Sequence, residues 1–94
     1  MLMKLPMRFR IIHLVSQRDN ISDREVMEAL QDEYGDEGQY KMSTVSYTLM
    51  SLRAVGIIEK TGVSLDENDN LVQQFSITDY GRDLLDKYLP SQWK

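Results

Sequence analysis

The chain has no cysteine. That removes disulfides, thiolate metal sites and cysteine nucleophiles together, and makes a reducing cytoplasm the expected setting. Histidine occurs once, at His13, with no companion at metal-ligand spacing, so a packed or solvent-facing imidazole is expected there, not a ligand or base. The sequence holds no phosphate-cradling glycine loop and no nucleophile paired with a base, which argues against an enzyme and against a cofactor or metal. Asp66, Asn68 and Asn70 alternate as in a calcium loop. Leu71 and Ile77 stand where such a loop needs Gly and Glu, so a solvated turn is the expectation. The opening Met1-Leu2-Met3-Lys4-Leu5-Pro6 has no apolar run of signal-peptide length, and no later segment approaches the ~20 residues of a membrane span.

What is present fits one domain over residues 1–94, with 41% hydrophobic and 28% charged residues, ordinary for a folded chain. A net charge of −4 opposes nucleic-acid binding in its simplest form. Its distribution matters more. Residues 1–18 carry Lys4, Arg8, Arg10 and Arg18 with no acid, and residues 41–60 carry Lys41, Arg53 and Lys60 against Glu59 alone. The carboxylates crowd into residues 19–40 and 61–94, so a polarised surface is expected.

Local signals divide the chain into elements. Pro6 suits a first helical turn, and Met7, Ile11, Leu14 and Val15 repeat with helical spacing to about Arg18. Asp19-Asn20 breaks that helix. Ile21 can staple the next entry, and Ser22-Asp23-Arg24-Glu25 is a capping box. A second helix follows, burying Val26, Met27, Leu30 and Tyr34, and Gly35-Asp36-Glu37-Gly38 reads as a loop. A third helix is expected from Ser43 as N-cap to Val55, with Gly56 supplying the left-handed C′ residue. Residues 57–64 and 71–77 are β-prone runs around an acidic hairpin tip. Thr78 caps a last helix with Tyr80, Leu84, Leu85, Tyr88 and Leu89 as its apolar residues, and Pro90 discourages its continuation.

The third helix has the most informative face. Val45, Leu49 and Leu52 share one side, while Ser43, Ser46, Tyr47, Met50 and Ala54 point largely the other way. A solvated helix normally carries Lys and Glu there. Small hydroxyl side chains and tyrosine suit a helix that must approach another surface closely.

The run Ser43-Thr44-Val45-Ser46, then Leu49, Leu52, Gly56-Ile57-Ile58 and Ile77-Thr78-Asp79-Tyr80-Gly81, is similar to the winged helix-turn-helix core of MarR-like and PadR-like transcriptional regulators, over about residues 9–89. The resemblance implies an α+β, mostly α fold: three helices, a two-stranded hairpin wing and a C-terminal helix. It also implies a regulator that places the third helix in the major groove of double-stranded DNA. Ser43, Thr44, Ser46, Tyr47 and Ser51 would then lie near the bases, with Lys41, Arg53 and Arg8 toward phosphates. MarR-like regulators usually carry an arginine at the wing tip. Here Asp66, Glu67 and Asp69 stand there and would repel phosphate, so minor-groove entry by the wing is not expected. A different reading makes the chain a protein-interaction module whose acidic wing covers a basic partner. Met50 suits either a thymine methyl or a protein surface. Leu85, Tyr88, Leu89 and Trp93 form an apolar C-terminal set, available either to a homodimer interface or to packing on the first helix.

Overall fold

The computed structural model describes residues 5–38 and 40–89. Lys4, Pro90 and Trp93, all used above, lie outside them. The order of elements is α1 (Met7–Gln17), β1 (Ile21–Ser22), α2 (Asp23–Ala29), α3 (Gln31–Tyr34), α4 (Met42–Ala54), β2 (Ile58–Leu65), β3 (Leu71–Ile77) and α5 (Asp79–Tyr88).

Local chemistry explains most boundaries. Pro6 sits at the N-cap of α1, and Asn20 takes a left-handed φ of 58°, which turns the chain into β1. The capping box forms as the sequence suggests: Ser22 Oγ accepts from the Glu25 amide and Glu25 Oε1 accepts from the Ser22 amide, both at 3.0 Å. At the far end of α4, Gly56 has φ 82°. Its amide bonds the Arg53 carbonyl and the Ile57 amide bonds the Leu52 carbonyl, both at 3.0 Å, a Schellman closure that only a residue comfortable in the left-handed region allows. Thr78 caps α5, its Oγ1 accepting from the Gly81 amide at 3.0 Å while lying 2.6 Å from the Gly56 carbonyl.

The expected hairpin wing forms, with β2 and β3 paired antiparallel, and a short strand joins it. Ile21 and Ser22 pair with Phe75 and Gln74, giving a three-stranded antiparallel sheet in the order β1-β3-β2 among the described residues. The second helix does not run straight to Tyr34. It kinks at Leu30, which leaves helical geometry at φ −101° and ψ 4°, although the Leu30 and Tyr34 amides still bond the Val26 and Leu30 carbonyls. The kink aims α3 at α1, where the Tyr34 hydroxyl donates to the Leu5 carbonyl and Arg10 grips Glu33 with bonds of 3.1–3.2 Å. The N-cap of the third helix lies two residues earlier than expected. Lys41, extended at φ −147°, is its N-cap and makes no side-chain cap bond, so Ser43 is a helical residue with its side chain exposed.

The core is continuous. Ile11 and Val15 of α1, Val26 of α2, Leu30 and Tyr34 at α3, Val45, Leu49 and Leu52 of α4, and Ile58 and Phe75 of the sheet are all essentially inaccessible. Burial of each such side chain stabilises the fold by about 1.5–3 kcal/mol relative to exposure. α5 closes one side against α1 with Leu85 and Leu89. Gly81 allows its close seating: a Cβ there would lie 2.3 Å from the Ile57 carbonyl oxygen.

Candidate nucleic-acid interface

Core burial fixes which way α4 faces. Val45, Thr48, Leu49 and Leu52 are buried, and the hydroxyl of Thr48 donates to the Thr44 carbonyl at 2.9 Å. Directly opposite them, Ser43, Tyr47, Met50 and Ala54 form one row along the helix, at spacings of four, three and four residues, and all four are exposed. Tyr47 is 75% exposed and Met50 45%. Thr44, Ser46 and Ser51 flank the row and are half-buried, while Arg53 stands exposed in the last turn and Lys41 just before the first. No carboxylate occurs from residue 38 to residue 58, so this face has cations at both ends and no acid along it.

The structure therefore brings Lys41, Ser43, Thr44, Ser46, Tyr47, Ser51 and Arg53 onto one helix. Arg8 is exposed on the first turn of α1, which packs on β3, α2 and α5. Arg10, counted among the N-terminal cations, is engaged inside the protomer by Glu33 and lies 3.0 Å from His13 Nδ1. The guanidinium only donates, so Nδ1 accepts and the neutral ring carries its proton on Nε2. Burial first, then the Arg10 charge, lowers the His13 pKa, and Glu33 partly offsets them. His13 is thus a packed residue of α1.

The wing tip differs from its sequence reading in one respect. Asp66 is not a free acid. Its Oδ1 accepts from the amides of Asn68 at 2.8 Å and Asn70 at 2.9 Å, and its other oxygen receives the guanidinium of Arg24, from the first turn of α2. Asn70's amide foremost, with Arg24 and Asn68 behind it, lowers the Asp66 carboxyl to about 2. Asp69, at φ 60°, completes the turn. The turn itself was legible in the composition of residues 66–70. The role of Arg24, 42 residues away, had no local signal.

The apolar C-terminal set is divided. Leu85 and Leu89 are buried within the protomer, where the C-terminal helix packs on α1. Tyr80 and Tyr88 are 56% and 67% exposed. Among the described residues no helix is long and apolar enough to cross a membrane.

No protein-family model matches the chain, and no curated protein matches it. Among solved structures, the fold is similar to that of a PadR-like transcriptional regulator from Bacillus cereus strain ATCC 14579. The TM-score is 0.66 at 17% sequence identity, over 86% of this chain and 75% of that one. The likeness defines the class of fold, an α+β winged helix, and it bears on the PadR-like half of the resemblance.

Proposed function

We propose that the protein is a DNA-binding transcriptional regulator of the cytoplasm that lays α4 in the major groove of duplex DNA. Lys41 and Arg53 hold phosphates at the two ends of the helix, Arg8 adds a phosphate contact from α1, and the crest between faces the bases. The observation that carries this reading is the exposed α4 face, free of carboxylates, lined with short hydroxyl side chains and flanked by cations, on a winged-helix frame. A single domain of this size offers a small DNA contact, and a homodimer binding two half-sites is the economical arrangement. Tyr88, exposed on α5, is the described residue of the expected set left to serve it. The reading of the wing as an acidic docking surface for a protein is weaker, because its central carboxylate, Asp66, is already held by Arg24 and the turn amides.

Fluorescence anisotropy of labelled mixed-sequence duplexes at two salt concentrations tests the proposal. Affinity should fall as salt rises, and Lys41→Glu should weaken binding at least tenfold while leaving the thermal unfolding transition in place. Binding that is absent at low salt, or indifferent to Lys41→Glu, contradicts it.

A further inference from the structure

Resting on the reading of α4 as a major-groove helix, we propose that its crest tells base pairs apart by the pyrimidine 5-methyl group, thymine above all, with Met50 and Tyr47 as the specificity-determining side chains. In the major groove, guanine is selected by bidentate Arg or Lys, adenine by bidentate Asn or Gln, cytosine by a carboxylate accepting from its amino group, and thymine by apolar contact with its methyl. The exposed row of α4 is Ser43, Tyr47, Met50 and Ala54, flanked by Thr44, Ser46 and Ser51. None of these is an Arg, Lys, Asn, Gln, Asp or Glu.

The one long cation on α4 is Arg53, in the last turn, about 15 Å along the axis from Ser43 at 1.5 Å per residue. It lies to the side of the row, a position suited to a phosphate at the groove edge. Hydroxyls both donate and accept, so the serines bond either kind of base edge and discriminate weakly. The remaining selective chemistry is apolar. Met50 holds a flexible thioether in solvent at 45% exposure and Tyr47 holds its ring there at 75%. The buried Thr48, by contrast, has its hydroxyl engaged by the Thr44 carbonyl and its side chain turned from the row. A major-groove helix with this crest binds methyl-bearing pyrimidines and passes over bare ones.

The test uses the full chain and four labelled duplexes of two helical turns: alternating A·T, the same with deoxyuridine for thymidine, alternating G·C, and the same with 5-methylcytosine. Deoxyuridine should weaken binding by roughly fourfold per contacted methyl, the factor that burying one such group is worth, and 5-methylcytosine should strengthen it by the same factor. Opposite shifts in the two base-pair contexts separate the methyl from the stiffness of the duplex. Met50→Ala and Tyr47→Ala together should weaken binding to the two methyl-bearing duplexes until both differences vanish, with the melting temperature in place, since both side chains are exposed. Equal affinity for all four duplexes, still falling with salt, overturns the methyl readout and leaves DNA binding standing. A methyl preference that survives the double substitution overturns the assignment to these residues. Failure to bind any duplex at low salt overturns both this inference and the reading beneath it.

Discussion

The crest of α4 and the tip of the wing are both exposed and both polar, yet they stand in opposite chemical conditions. Along α4 the outward side chains face solvent, and no acid lies within the segment. At the wing tip one of the three carboxylates, Asp66, is held by two backbone amides and a guanidinium from α2. Formal charge therefore describes neither region well. A tip that reads as repulsive by composition is partly neutralised from within, whereas a helix that reads as nearly neutral keeps its cations at the two places where a phosphate backbone would pass. Exposure shows what a partner can touch, and engagement shows what remains to be offered.

The largest effect expected tests the joint that holds both regions. Gly81→Ala should lower stability by about 2–3 kcal/mol, because the new Cβ meets the Ile57 carbonyl, which is backbone and cannot swing aside. Chemical denaturation measures it, and an unchanged midpoint would show that α5 is seated more loosely than the contact implies. Next comes Lys41→Glu, where a tenfold loss of duplex affinity corresponds to about 1.4 kcal/mol. The same reversal placed at Glu67→Lys on the exposed tip should change affinity far less, and a larger change there would move the interface from α4 to the wing.

Asp66→Ala should have a local effect. The Asn68 and Asn70 amides should exchange faster with solvent while the core amides do not, as hydrogen exchange would reveal. The pH dependence follows from the direction of the shift. A carboxyl held at about 2 in the folded chain, against about 3.9 when unfolded, stabilises the tip fully above pH ~4 and loses that contribution as pH falls through 2. Amide shifts of Asn68 and Asn70 that titrate near 4 would mean that Arg24 and the turn do not hold Asp66. The smallest effect belongs to Glu67→Gln, an exposed neutralisation expected to alter stability by no more than about 0.5 kcal/mol.

Features that depend on neighbours in sequence were legible from it. The Ser22–Glu25 box, the left-handed Gly56 and the Thr78 cap each rest on groups within a few residues. The exposed row of α4 was legible because Val45, Leu49 and Leu52 define its opposite side by helical period alone. Contacts across the chain left no such trace. Arg24 with Asp66, and Arg10 with Glu33 23 residues on, join unremarkable surface charges that only the fold brings together. β1, at two residues, is too short to show alternation and exists because β3 offers it an edge. The kink at Leu30 is a tertiary effect laid over a sequence with helical period, as α3 is drawn to α1. For Leu85 and Leu89, periodicity identified an apolar side without its partner, and the protomer itself supplies one. The N-cap followed the extended backbone of Lys41 instead of the better capping residue, Ser43, two positions later.

In the function proposed, α4 and not the wing meets DNA. Backbone amide NMR of the full chain during titration with a mixed-sequence duplex tests it most directly. Residues 41–54 should shift and gain protection while residues 66–70 stay near their free positions. Shifts concentrated at the wing tip, or none along α4 at a duplex concentration that saturates binding, would contradict it.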